Sequence, residues 1–293
     1  MPHIPVSGGF SAAPWIWAQH LPGPGFPGTG FPGTGFPGTG FPGTGFPDAS
    51  FPGTSFPASG STTSFMPVVV IAGIVLLAVF GYIGYALEKK RREEMSALAE
   101  ELGLTFDPNA DSSHDDRYAQ FDIFRRGHSR VAKNTLTGTI ELFDRTCRLV
   151  TGDFRYKVTS GSGKNRSTRT YNFSYLIVHP PWDTPPLLIR PEGVWDKIKG
   201  AVGFDDIDFE SDEFSRKFYV QSSDRKFAYD MLHPRMMEFL LEHPTATIDI
   251  ENGALCLSNG LERWTPDRFK SAIVFVHQFC ERWPRHLVKE FES

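Results

Sequence analysis

Residues 68–103 read VVVIAGIVLLAVFGYIGYALEKKRREEMSALAEELG. The first twenty, Val68 to Leu87, carry no charge and are bounded by Pro67 and Glu88. At about 1.5 Å per residue they cover about 30 Å, the thickness of a bilayer's hydrocarbon core. A helix buried in a soluble core is usually shorter and carries polar positions at helical spacing, and this run carries none. A transmembrane helix over 68–87 is expected, with Tyr82 and Tyr85 near the end where amphipathic rings favour the interface. Gly73, Gly81 and Gly84 would admit a second helix, but they form no strict GxxxG pair.

The flanks set the orientation. Lys89, Lys90, Arg91 and Arg92 follow the run directly, whereas no Lys or Arg precedes Val68. The positive-inside rule then predicts a single-pass plasma-membrane protein, N-terminus outside and C-terminal portion in the cytoplasm. Residues 1–21 lack a basic segment and a continuous apolar core, so the span itself is expected to be the uncleaved targeting signal. No helix breaker follows until Gly103, and Met95, Leu98 and Leu102 share one face. The spanning helix should therefore continue through residues 88–103 and dock on the domain behind it.

Most of the chain's excess glycine and proline (28 and 23 of 293 residues) lies before residue 60. From Phe26 the sequence runs FPGTG four times, then FPDAS, FPGTS and FPASG. Pro-Gly suits the central positions of a type II turn, and the pattern resembles the elastin-like pentapeptide with Phe in place of an aliphatic residue. So much Gly and Pro supports neither helix nor ladder, so residues 1–25 and the repeat at 26–60 are expected to be disordered. The evenly spaced phenylalanines make the segment either a spacer or a sticky, self-associating element. Trp15, Ile16 and Trp17 form a short apolar knot upstream.

Residues 104–293 read as one α+β domain of antiparallel hairpins with packed helices. A polar loop is expected over 107–116. The stretch FDIF at 121–124 is read as a strand, turning at Arg126-Gly127-His128 into VAKNTLTGTIELF. CRLVTGDFRYKV and TRTYNFSYLIV should pair around the loop TSGSGKNRS, with Phe154 near Tyr171 and Gly152 across from Phe173. Val194, Trp195, Ile198 and Val202 suggest a helix after Pro191, KFYVQ a strand, Ser223 the cap of a helix to Met231, and Pro234 the start of another. In TATIDI-ENG-ALCLS, Asn252-Gly253 marks a type I′ turn that sets Ile250 opposite Leu255 and Ile248 opposite Leu257. Thr265 and Pro266 open a final helix as N-cap and first residue, with Phe269, Ile273, Val276, Phe279, Cys280 and Trp283 inward until Pro284 interrupts it.

Candidate chemistry is sparse. A net charge of −4 does not mark a nucleic-acid binder. Cys147, Cys256 and Cys280 offer neither a disulfide framework nor a CxxC spacing, and Cys256 and Cys280 read as small buried hydrophobes. Gly161-Ser162-Gly163-Lys164 fails as a phosphate loop, because Val158 and Asn165 stand where the motif needs Gly and Ser/Thr. His114, Asp115 and Asp116 are expected to splay into solvent, and no histidine has metal-ligand spacing. No catalytic residue, metal or cofactor is predicted.

Charge is nonetheless polarised. Residues 120–170 hold 11 basic and 4 acidic side chains, residues 191–251 hold 7 and 14. Either the two halves neutralise each other, or the basic half faces the anionic inner leaflet beside the KKRR run. The membrane-proximal basic set would then be Lys89, Lys90, Arg91, Arg92, Arg125, Arg126, Arg130 and Lys133. The expected partners are the lipid bilayer, anionic inner-leaflet lipids and an unidentified protein.

RGHSRVAKNTLTG from Arg126, YKVTSGSGKNRSTRTY from Tyr156, LLIRPEGVWDKI from Leu187 and GFDDIDFESDEFSRKFYVQSSDRKFAYDML from Gly203 carry a family resemblance. Over about residues 95–245 the chain resembles an uncharacterised family of bacterial single-span membrane proteins. The resemblance implies a membrane-anchored domain and supplies no reaction, ligand or site residue. It excludes the FPGTG array. Three functional classes stay open: a cytosolic binding or scaffolding module, a tethered enzyme using residues such as His128, Asp153 and Asp183, and adhesion through the repeat.

Overall fold

The computed structural model describes residues 66–192, 207 and 209–291. The FPGTG repeat and the helix expected after Pro191 lie outside the described residues. Helix α1 (Met66–Leu102) is unbroken over 37 residues. Side chains such as Val70, Ile74, Leu77, Phe80 and Leu87 are exposed along it, and the stretch is long and apolar enough to cross a membrane. Contacts divide the chain after Leu77 into two units. The first holds, among the described residues, only the opening turns of α1, and the second holds the sheet and the other helices.

After Glu88 the helix changes character. Arg91, Met95, Leu98 and Ala99 are buried, at i, i+4, i+7 and i+8. That spacing is one helical stripe, and it faces the sheet. The helix thus continues past the apolar run and packs on the sheet, and Gly103, at φ +65°, follows its end.

The described strands are β1 (Thr105–Asp107), β2 (His128–Leu142), β3 (Arg145–Ser160), β4 (Ser167–His179), β5 (Leu187–Pro191), β6 (Phe218–Ser222), β7 (Thr247–Glu251) and β8 (Ala254–Ser258). They form one antiparallel sheet in the order β1-β2-β3-β4-β8-β7-β5-β6. Helices α2 (His114–Arg117), α3 (Asp122–Arg125), α4 (Asp212–Lys217), α5 (Arg225–Met231), α6 (Pro234–Leu241), α7 (Pro266–Glu281) and α8 (Arg285–Phe291) complete an α+β fold. Because strand side chains alternate, the sheet has two cores. Leu136, Leu149, Leu176 and Ile248 face α1 and α7, which contribute Met95, Leu98, Phe269 and Phe279. Phe154, Phe173, Tyr175 and Cys256 face the other way, toward Tyr118, Phe121 and Phe124 around α2 and α3.

Several local expectations are realised. The β7–β8 register pairs Ile250 with Leu255 and Ile248 with Leu257. Asn252 and Gly253, both at positive φ, make its turn. Thr265 Oγ1 accepts from the Arg268 amide, with Pro266 at the start of α7. Cys256 and Cys280 are buried.

Others are corrected. FDIF is not a strand: Asp122–Arg125 is α3, since four mostly apolar residues carry no period that separates strand from helix. Phe154 pairs with Phe173 and Gly152 with Tyr175, two residues from the expected register. A slip of two keeps every side chain on its face, so alternation cannot detect it. Asp224, not Ser223, caps α5 by accepting from the Phe227 amide. The loop over 107–116 contains the start of α2, and His114 and Asp115 within it are buried rather than solvated.

One irregularity positions the site. The β2–β3 register shifts between Lys133 and Leu136, and Asn134 takes φ +51°. Such a bulge re-aims a side chain. Gly152 lies beneath it: a Cβ there would stand 3.1 Å from the Asn134 carbonyl oxygen and 3.1 Å from the Thr135 Cα. These neighbours are backbone and cannot swing aside. Gly152→Ala is expected to cost about 1–3 kcal/mol by forcing the bulge outward. A thermal midpoint within 1 °C of the parent, about the shift that a few tenths of a kcal/mol give, would show that the bulge yields freely.

Candidate functional site

Asp153 sits at the middle of β3, on the face that α1 covers. Its neighbours in that alternating row, Leu149 and Thr151, are fully buried, so a carboxylate here interrupts a core. It is compensated from four elements. Arg91 of α1 donates to both oxygens, Nε at 2.9 Å and Nη2 at 2.8 Å. Arg263, before α7, donates through Nη2 at 2.8 Å. Asn134, aimed by the bulge, donates at 3.3 Å, and Ser174 Oγ on β4 donates at 2.7 Å. Ser174 Oγ in turn accepts from the Trp264 amide at 2.9 Å.

Burial alone would raise the Asp153 carboxyl, but the hydrogen bonds and charge of Arg91, with Arg263 beyond it, hold it below the ordinary carboxylate range. Both oxygens are engaged, and the carboxylate is ionised. It has little capacity left for proton transfer or metal binding. Chemically the cluster is a latch: it pins α1 to β2, β3 and β4 one turn past Leu87, the end of the uncharged run. The Arg91 guanidinium also lies 5.6 Å from the Phe269 ring centroid, which ties it to α7. Beside the latch, Glu88, Lys133, Asn134, Asp153, Phe154, Arg155, Asn172 and Arg263 line a cleft of about 40 Å³.

The eight basic residues singled out in sequence are not one surface. Lys89, Lys90 and Arg92 are exposed on the first turn after the apolar run. Lys89 and Lys90 lie 3.8 Å from Glu93 and Glu94. Arg91 points the other way, into the latch. Lys133 pairs with Glu88 at 3.3 Å, which joins α1 to β2. Arg126 pairs with Asp122, Arg130 with Asp115 at 2.6 Å, and Arg125 lies 3.8 Å from Asp116. Those three accompany α2 and α3 on the opposite face of the sheet.

The three residues of the enzyme reading do not converge either. His128 is exposed and bonds Ser129 and Thr159. It pairs with Lys157, four positions along β3 from Asp153, about 13 Å away. Asp183 lies beside Gly253 at the β7–β8 turn. Among the described residues no three His, Cys, Asp or Glu side chains are grouped to hold a metal ion. A second perturbed carboxyl, Asp249 on β7, is pushed up to about 8 by burial, Glu251 and Asp122, with Arg126 opposing.

Sequence reasoning missed Arg263, Ser174 and Asn134, and placed Arg91 with the solvated anchor. One signal was available for Asp153: a carboxylate in phase with Leu149 on a core-facing strand demands a buried cation.

No family model matches the chain, and no curated protein does. Among solved structures, the crystal structure of the mycobacterial trehalose monomycolate transport factor A, TtfA, is similar at 11% sequence identity and a TM-score of 0.46. That match covers 66% of this chain and 96% of that one. A likeness at this level carries no argument about function.

Proposed function

We propose that this chain is a single-span membrane protein whose α1 mounts a cytoplasmic binding or scaffolding module directly at the bilayer surface. The observation that carries the reading is the change of character along one continuous helix. Its apolar stretch is uncovered, and its next turn is the buried latch. Exposed Leu, Ile, Val and Phe side chains in water would each forgo about 1.5–3 kcal/mol of burial, so the stretch calls for a lipid environment. The cationic turn at Lys89, Lys90 and Arg92 favours the cytoplasmic side. Lipids are the first partner, and a protein bound by the domain the second. The saturated Asp153 supports a module over an enzyme that uses it as a base.

Topology is the decisive measurement. Protease added to intact cells should remove the FPGTG segment and leave a membrane-bound fragment that contains Trp283. Loss of the C-terminal domain with protection of the repeat would reverse the orientation and every assignment that depends on it.

A further inference from the structure

We infer that the end of the β3–β4 hairpin, with Arg155, Lys157, Lys164, Arg166 and Arg169, is the surface that rests on the phosphate headgroups of anionic lipids beside α1. The inference rests on the proposed spanning role of α1, and it names the surface through which the domain meets the leaflet.

Direction comes first. Glu88 meets Lys133, and sixteen residues later Leu104 packs over Gly138. α1 therefore travels along β2 in the same sense, with Arg91 on Asp153, the β3 partner of Lys133. Followed backward toward the apolar run, β2 continues to His128, β3 onward to Ser160 and β4 back to Ser167. From Arg91 to Leu87 the helix rises about 6 Å. From Asp153 to Ser160 the strand covers about 23 Å. The strand draws level with Leu87 about two residues past Asp153, at Arg155, so the cationic stretch of the hairpin starts where the apolar run begins.

Composition agrees with that position. Residues 155–172 contain five basic side chains and no acidic one. Residues 160–170 are all exposed. The tip, SGSGKNRS, is polar and small, suited to lie on a headgroup layer rather than in hydrocarbon. Charge pairing separates this surface from the other basic residues. Arg125, Arg126, Arg130 and Lys133 each have a carboxylate within 4 Å, whereas none of the five hairpin cations has one among the described residues. Arg155 lines the cleft beside Glu88, and its buried Nε has no hydrogen-bond partner among the described residues. Unpaired cations that converge at the level of a bilayer surface match the chemistry of phosphate anions.

The test uses the full chain in lipid nanodiscs, with a fluorophore on Ser162→Cys at the hairpin tip. The three native cysteines are buried, so the new thiol labels selectively. A headgroup-quencher lipid should quench this probe more in phosphatidylglycerol discs than in phosphatidylcholine discs. Each cation contributes up to about fivefold to the bound population at low salt, and the difference should fade as salt screens it. The Lys157, Lys164, Arg166 and Arg169→Gln variant should lose it. The Arg125, Arg126 and Arg130→Gln variant should keep it, as should the labelled parent chain with inorganic phosphate added at matched ionic strength. Equal quenching in neutral and anionic discs at low salt would overturn the inference. So would an oligonucleotide or inositol hexakisphosphate that shifts the probe in neutral discs as much as anionic lipid does, since the surface would then serve a soluble polyanion. A chain stripped from membranes by alkaline carbonate would instead overturn the spanning role, which separates the two failures.

Discussion

Asp153→Asn is expected to lower the unfolding free energy of the domain by about 3–5 kcal/mol, the cost of leaving a buried charge without its counter-ion. Arg91 is nine-tenths buried, and its other carboxylate neighbour, Glu94, stands 3.9 Å away with a partly exposed side chain. An asparagine keeps the shape and offers one acceptor where two charged oxygens served Arg91, Arg263, Asn134 and Ser174. Arg91→Met should cost less. The methionine keeps the packing on Phe269, and Asp153 retains Arg263 and Ser174. Combining Arg91→Met with Asp153→Leu should recover much of the loss, because an ion pair replaced by apolar groups of similar volume is often neutral. Urea unfolding of the full chain in detergent, followed by fluorescence of the buried Trp264 and Trp283, reads these differences. A loss below about 1 kcal/mol for Asp153→Asn would mean that water already solvates the latch.

The latch also shows where sequence reading stops. Its members are separated by 62 positions from Arg91 to Asp153 and by 110 from Asp153 to Arg263. No local pattern encodes such a meeting, and the KKRR run gave Arg91 every reason to be read as solvated. Only helical phase distinguishes it: counting back from Met95 and Leu98 puts Arg91 on the buried stripe. Local devices with a stereochemical requirement were legible. Asn252-Gly253 needs two positive φ values and thereby sets the β7–β8 register, and Thr265-Pro266 cannot sit inside a helix but can start one. The β3–β4 register was harder, because its connection is a longer loop through Gly161 and Gly163 that leaves even-numbered slips equivalent. The short α2 and α3 have too few residues to show a period. They form because the aromatic core beneath them needs a cover, which is a tertiary demand.

His114 is where that demand has a measurable consequence. Its ring is almost wholly buried, with centroids 4.7 Å from Tyr175, 4.8 Å from Tyr118 and 4.9 Å from Phe124, and its Nε2 lacks a hydrogen-bond partner among the described residues. Burial, then the charge of Arg117, lowers its pKa to about 4, against the pull of Asp111 and Asp115. The native state therefore holds a neutral imidazole that the unfolded chain protonates below about pH 6.5. The unfolded state binds the extra proton, so stability falls as pH drops from about 6.5 to about 4. The full loss is roughly 3 kcal/mol. The whole-protein curve will not display this cleanly. Asp249, pushed up to about 8, keeps a proton in the native state that the unfolded carboxyl has released, so it stabilises the fold as pH falls through the same range. His179, lowered by burial and by Arg148, adds to the acid-side loss. Subtraction isolates the single imidazole. The difference in unfolding free energy between His114→Phe and the parent should grow in favour of the variant by roughly 3 kcal/mol between pH 7 and pH 4. Overpacking by the larger ring would offset the whole variant curve without changing its slope, so the slope is the quantity to read. Parallel curves would place water at the Nε2 atom and return His114 to the solvated role that its polar neighbours suggest.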